Sequence, residues 1–255
     1  MLEAKLSKAG TLKKILDALK DLVNEASWDC SSNGISLQAM DCAHVALVAV
    51  HLQSKGFEKY YCDRNITLGL NLVNLSKILK CAGNDDSLCI KAKNDDDKVS
   101  LTFVNKENRV SEYEMKLLNL DADHMEIPVD DSKYCVTAEI ASCAFQKICK
   151  DLAQIGDAVK ISCQNDSITF LSNGDLCQGK IILNDDCVKL CIKQDLCLSY
   201  GLNYLNNFTK ATPLSSFVTV SLSSTFPLSV DYIILNDDEE FGCIRYFLAP
   251  KLLDD

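Results

Sequence analysis

The residue types that do chemistry are all present in this 255-residue chain, but their spacing does not group them. Of the three histidines, His44, His51 and His124, none stands at metal-ligand or triad spacing from a second histidine or a carboxylate. His44 beside Val45 reads as part of an apolar wall, and His51 as a residue on a strand surface. Fourteen cysteines would suffice for a disulfide framework or a metal centre. No CxxC pair occurs among them, and Cys187 with Cys191 lacks a second ligand pair. The chain is long and opens on Met1-Leu2-Glu3-Ala4-Lys5, without the charged-then-apolar order of an export signal, so the thiols are expected to be reduced and mostly buried. Acidic clusters at 95–97, 130–131 and 237–240 could hold a divalent ion for a metal-dependent nucleic-acid enzyme if they converged. Each falls in a turn and reads as solvated surface. No glycine-rich phosphate loop precedes a helix. No catalytic residue, metal or cofactor is assigned, and the expectation is a protein that is not an enzyme.

The lysines are more informative. Apolar spacing predicts a helix over 9–23 with Leu12, Ile15, Leu16, Leu19 and Val23 inward. Further helices are predicted over 73–82, over 142–154 with Phe145, Ile148, Cys149 and Leu152 inward, and over 202–210. These windows hold Lys13, Lys14, Lys20, Lys77, Lys80, Lys147, Lys150 and Lys210 against Asp17, Asp21 and Asp151, a net of +5 in a chain whose total is −10. The remainder must carry about −15. An overall negative charge argues against a phosphate partner, but lysines kept on the helices give two electrostatic faces, and only one of them attracts a polyanion. Solvated helix faces are often lysine-rich for solubility alone. Four helices leaning the same way inside an acidic chain point beyond that.

Short β-branched runs bounded by turn signals predict strands over 35–37, 45–52, 66–70, 88–92, 99–104 and 110–117, and again over 159–163, 168–171, 179–183, 188–192, 218–222, 228–234 and 245–248. The order of signals repeats. Both first helices carry Lys-Asp-Leu, at 20–22 and 150–152, and the second and fourth helices align at an offset of 129, with Val73 on Leu202 and Ala82 on Ala211. Residues 118–132 separate the halves, carrying five carboxylates and Pro128, which fixes its own φ and biases Ile127 away from helix. The expected organisation is therefore α+β: a domain over 1–117, a connector over 118–132 and a similar domain over 133–255. No apolar run approaches eighteen residues, so no membrane span is expected and the protein is read as soluble and intracellular.

Several runs along the chain carry a family likeness: Leu16-Asp17-Ala18-Leu19-Lys20-Asp21-Leu22, Tyr61-Cys62-Asp63-Arg64-Asn65, Ser76-Lys77-Ile78-Leu79-Lys80-Cys81-Ala82-Gly83-Asn84, Tyr113-Glu114-Met115-Lys116-Leu117, Ile155-Gly156-Asp157-Ala158-Val159, Phe208-Thr209-Lys210-Ala211-Thr212-Pro213-Leu214-Ser215-Ser216 and Leu248-Ala249-Pro250-Lys251. With these runs, over essentially its whole length, the chain resembles the eukaryotic sliding clamps, the proliferating cell nuclear antigen family. The resemblance implies the DNA clamp fold and a closed homotrimeric ring, with helices lining the hole and sheets outside. Twelve helices side by side at about 10 Å each give a circumference of about 120 Å and a ring about 38 Å across. Such a hole admits a duplex loosely, which suits sequence-independent sliding along phosphates.

The resemblance further implies a nuclear processivity factor for DNA replication and repair. Its expected partners are double-stranded DNA, DNA polymerase delta, a clamp loader, flap endonuclease, DNA ligase and other proteins carrying a short helical client motif. By it, the DNA-facing residues are Lys13, Lys14, Lys20, Lys77, Lys80, Lys147, Lys150 and Lys210, while Asn203 stands where the family usually has a basic residue. The subunit edges are the strand over 109–117, with Tyr113 and Met115, and the strand around 177–183, with Gly179. The client pocket is Met40, His44, Val45 and Leu47 on a loop, Met125, Ile127 and Pro128 on the connector, and Pro227, Phe247, Ala249 and Pro250, all on segments expected to be exposed. Phe247 replaces a common tyrosine. The loop Gln164-Asn165-Asp166 lacks the modifiable lysine that the family often has. The other reading kept open is a subunit of a checkpoint-type heterotrimeric clamp.

Overall fold

The computed structural model describes residues 1–93, 96–120, 133–164, 166–184, 188–236 and 239–251. It divides into two compact units: Met1–Asp41, Val48–Met125 and Ile233–Ile244 in the first, and Cys42–Leu47, Glu126–Tyr232 and Arg245–Asp255 in the second. No helix among the described residues is long and apolar enough to cross a membrane.

The first unit is assembled from β1 (Leu2–Leu6), α1 (Ala9–Leu19), β2 (Glu25–Ser31), β3 (Gly34–Met40), β4 (Ala46–Gln53), β5 (Lys59–Cys62), β6 (Ile66–Asn71), α2 (Leu72–Lys80), β7 (Ser87–Ala92), β8 (Lys98–Val104) and β9 (Val110–Lys116). One antiparallel sheet runs β5-β1-β7-β8-β9, and a second runs β4-β3-β2-β6. The alternation Leu2, Ala4, Leu6 buries one face of β1 while Glu3 and Lys5 stay at the surface. Helix α1 buries Leu12, Ile15, Leu16 and Leu19, as the spacing predicts. It stops four residues before the predicted end. The amides of Leu22 and Val23 both turn back onto the Leu19 carbonyl, so Val23 is buried from a turn rather than from the helix. Helix α2 starts at Asn71, whose side chain accepts from the Asn74 amide at 2.9 Å and caps it.

The second unit repeats the plan with β10 (Val136–Ala141), α3 (Ser142–Leu152), β11 (Ala158–Gln164), β12 (Ser167–Asn173), β13 (Gln178–Asn184), β14 (Lys189–Ile192), β15 (Leu196–Gly201), α4 (Leu202–Phe208), β16 (Phe217–Leu222), β17 (Leu228–Asn236) and β18 (Glu239–Leu248). Its strands order as β14-β10-β16-β17 and as β13-β12-β11-β15. Phe208 stacks on Tyr246 at 4.5 Å and Phe145 meets Phe170 edge-on at 6.4 Å, so large rings fill the space between helices and sheet. Burying each contributes about 1.5–3 kcal/mol. Pro213 does not end the helical path, which continues from α4 as a 3-10 turn over Thr209–Leu214.

Backbone hydrogen bonds fix the repeat and correct its register. Leu72 donates to the Asn24 carbonyl and Leu202 to the Asp157 carbonyl; Ala9 donates to Asp86 and Ser142 to Ser216; Leu118 donates to Gly69 and Lys251 to Ser199. Leu72 thus corresponds to Leu202, an offset of 130 rather than 129, and Ala9 corresponds to Ser142, an offset of 133. The shared Lys-Asp-Leu is accordingly a coincidence: at 20–22 it follows α1, whereas at 150–152 it closes α3 from within.

Candidate functional site

The helix lysines do not all present bare charge. Lys14, Lys80 and Lys150 are exposed and make no ion pair among the described residues. Lys77 is exposed with only a long contact to Asn74, 3.4 Å. Lys20 pairs with Asp17, and Lys147 with Asp151 at 2.7 Å. Both pairs are at the surface, where an arriving phosphate competes easily. Lys210 meets the Asn207 amide oxygen at 2.9 Å. Lys13 is the exception: half-buried, it reaches from α1 to the Ala82 carbonyl and the Asn84 side chain beyond α2. At the equivalent place on α3, Gln146 donates to the Thr209 carbonyl at 2.9 Å. Lys13 therefore ties two helices together, a role without a periodic signal in the sequence.

The two predicted edges lie at sheet ends. β9 closes one side of the first unit's five-stranded sheet, and β13 closes one side of β13-β12-β11-β15. Tyr113 is half-buried, packs edge-on against Phe103 at 5.8 Å and meets the Cys81 thiol, which raises the phenol pKa. Met115 is buried within its own unit, and Gly179 is half-buried. Ile182 on β13 and Val110 on β9 are half exposed.

The predicted client residues separate. Met125, Ile127 and Pro128 lie outside the described residues, as do His124, Asp95, Asp130, Asp131 and Cys187. Met40 ends β3 and is half-buried, as is Pro227. His44 is exposed and holds a left-handed backbone, φ 57°. Leu47 and Phe247 correct the expectation of exposed segments: each is only 6% exposed, because β4 and β18 turn these side chains inward. Val45, Ala249 and Pro250 are exposed and come together, with Ala249 donating to the Val45 carbonyl at 3.0 Å. They line a cavity of about 760 Å³ in the second unit, whose other walls are Ala153, Gly156, Asp157, Gly201, Leu202, Asn203, Tyr204, Asn206, Leu248 and Lys251. Asn203, expected among the DNA-facing positions, is therefore a cavity residue as well.

The cysteines are less buried than expected. Among the described residues all are free thiols; Cys30, Cys149 and Cys163 are buried, whereas Cys42, Cys81, Cys143, Cys177, Cys191 and Cys197 are exposed. Burial pushes the Cys30, Cys149 and Cys163 thiols up to about 12, away from the thiolate that a nucleophile or metal ligand needs. The described residues contain no cluster of three or more His, Cys, Asp or Glu placed to hold a metal ion.

The architecture is one of repeated units with lysine-bearing helices, with β9 and β13 among its terminal strands. The family model for the proliferating cell nuclear antigen N-terminal domain matches residues 1–126, and that for its C-terminal domain matches residues 128–251. The chain belongs to the proliferating cell nuclear antigen family. It is thus a DNA sliding clamp of the α+β clamp fold, in a family of non-catalytic clamps that bind DNA and polymerases.

Proposed function

We propose that three copies of this chain close head to tail into a homotrimeric ring that encircles duplex DNA in the nucleus. The ring tethers DNA polymerase delta as its processivity factor and recruits a clamp loader, flap endonuclease, DNA ligase and other client-motif proteins. One observation carries this. In the repeat, β9 corresponds to β18 and β13 to β4. The part of β18 that belongs to the first unit, 239–244, lies beside β4, so closely that a side chain on Gly242 would meet the His51 carbonyl. β13 and β9, the counterparts of that paired couple, are each left with an open side. Edges that remain unpaired invite another strand, and the couple available is one edge from each of two copies, a heterologous contact that closes into a ring if the rotation allows.

Both halves of the junction are on one chain, which favours a homotrimer over a subunit of a checkpoint-type heterotrimer. The domain division at 1–117, 118–132 and 133–255 puts one member of this couple in each domain, β9 in the first and β13 in the second. Lys14, Lys77, Lys80, Lys150 and Lys210 supply the diffuse charge that faces the phosphates, with Lys20 and Lys147 released from their aspartates on contact and Lys13 contributing least. Clients dock a short helical turn on Val45, Ala249 and Pro250, with Ile127 and the rest of the connector completing the groove.

The test is the mass of the purified chain at micromolar concentration. Three times the 28.2 kDa chain is expected, falling to one for Tyr113→Ala and unchanged for Tyr113→Phe. A wild-type chain that stays monomeric on its own would assign it to a heteromeric clamp instead.

A further inference from the structure

We infer that Cys30 and Cys62 are a redox pair: a peroxide converts the two thiols into a disulfide that staples β5 to β2 across the core of the first unit.

The two side chains come from different sheets and meet in the space between them. β5 ends the sheet β5-β1-β7-β8-β9, whereas β2 lies in β4-β3-β2-β6. Along β5 the exposed Lys59 and Tyr61 alternate with the half-buried Tyr60 and Cys62, so Cys62 faces the core. Its cross-strand partner is Leu2, which is fully buried. Leu2 and Cys30 in turn line one small void with Trp28 and Leu68. Tyr60, on the same face of β5 as Cys62, holds the strands to this approach, because its hydroxyl donates to the carbonyl oxygens of Ser31 and Gly34, each at 2.8 Å. Ser31 directly follows Cys30. Burial pushes the Cys30 thiol up to about 12, and Cys62 is near enough to add to that effect. Neither sulfur is firmly held. Cys30 Sγ lies 3.8 Å from the Trp28 carbonyl and Cys62 Sγ 3.1 Å from the Arg64 carbonyl, both weak thiol contacts.

Access sets the order of the chemistry. Cys62 is half-buried, whereas Cys30 is 1% exposed, so the peroxide meets Cys62 first. The Cys62 sulfur attacks one peroxide oxygen, the O–O bond breaks, and a sulfenic acid and one water result. The Cys30 sulfur then attacks the Cys62 sulfur; the S–O bond breaks, the S–S bond forms, and a second water carries off the oxygen with the Cys30 proton. The peroxide is reduced by two electrons and the thiol pair is oxidised by two. Burial raises both thiols, so the reaction is slow at neutral pH and quickens as the pH rises.

The repeat supplies a control. β2 corresponds to β11 and β5 to β14, which places Cys163 at the position of Cys30 and Ile192 at the position of Cys62. Cys163 is as buried as Cys30, and its thiol is pushed up as far. It faces no thiol from β14. Cys197 lies opposite Ser162, and so on the other face of the sheet from Cys163. A link at Cys30 alone is therefore expected of the two equivalent sites, and it would close a loop of 31 intervening residues.

The experiment treats the full-length protein, dilute enough to disfavour links between chains, with hydrogen peroxide, blocks the remaining thiols with maleimide under denaturing conditions, and maps the peptides by mass without reduction. Wild type is expected to yield a peptide pair joined through Cys30 and Cys62 and separated by dithiothreitol, while Cys163 is recovered as its maleimide adduct. In Cys30→Ser, and in Cys30→Val, which keeps an apolar side chain in the core, Cys62 has no resolving thiol and runs on to the sulfinic acid. The linked protein should melt about 4–16 °C above Cys62→Ser treated in the same way. Recovery of wild-type Cys62 as sulfinic acid, or joined to some other cysteine, to the same extent as in the Cys30 variants overturns the pair. A Cys30–Cys62 link that leaves the melting temperature where Cys62→Ser has it overturns the staple.

Discussion

Replacing Lys80 with glutamine is the sharpest probe of the inner surface, because Lys80 makes no ion pair among the described residues and offers its whole charge to a phosphate. Each phosphate contact contributes a slope of about −0.9 to log K against log salt. A ring of three carries the substitution three times. If one of the three lysines touches a phosphate at any moment, the slope shrinks by about 0.9; if all three do, it shrinks by about 2.7. Between about 50 and about 200 mM salt, wild type then loses affinity about 3-fold to about 40-fold more steeply than Lys80→Gln. The assay is duplex DNA binding by anisotropy over that salt range. Lys14→Gln and Lys150→Gln should behave alike. Asp17→Asn should do the reverse, steepening the slope, because it frees Lys20 from its partner. Lys13→Gln should change the slope least, since that ammonium is spent on Ala82 and Asn84. An unaltered slope in all of Lys14→Gln, Lys80→Gln and Lys150→Gln would refute the placement of these helices against the duplex.

Three further outcomes follow from local geometry. Gly242→Ala drives a methyl into the His51 carbonyl and should cost about 1–3 kcal/mol, a fall of roughly 2–10 °C in Tm by calorimetry. Asn71→Ala removes the cap of α2 and should cost about 1 kcal/mol in urea unfolding, whereas Asn71→Ser, which keeps a neutral acceptor beside Glu25, should cost less. Under native conditions Cys42, Cys81, Cys143, Cys177, Cys191 and Cys197 should take up maleimide before Cys30, Cys149 and Cys163, whose thiols are buried and held at high pKa; mass mapping of the modified peptides reads the order.

The helices were legible because their signal is local. Leu12, Ile15, Leu16 and Leu19 are spaced for one face, and that face is buried. Most strands were legible as β-branched runs bounded by turn signals, while β1, β2, β5, β10 and β15 had no predicted counterpart. Inward or outward was harder. Leu47 and Phe247 lie near loops, and only the pairing of their strands decides that they turn into the core. The cavity had no sequence signature at all. Its polar wall draws on Asp157 after α3, Gly201 at the end of β15 and Asn203 in α4, and hydrogen bonds across distant segments bring them together.

The register of the repeat carries the rest. An offset read from residue identity fell at 129 for the second and fourth helices, because Asn74 on Asn203 and Ala82 on Ala211 outweighed everything else in a short window. Hydrogen-bonded carbonyls set it at 130 and 133, since the backbone must satisfy its donors in both copies whatever the side chains become. The consequence is functional. With the backbone register, β4 and β13 are one strand seen twice, and so are β9 and β18. The duplication therefore produces two copies of each half of a junction. A single chain consumes one of each, β4 with β18, and is left holding the other two. An open edge of this kind on a soluble protein is usually blunted by proline, a bulge or covering loops, and neither β9 nor β13 contains a proline. They are left able to pair, and a copy of the same chain carries the complement.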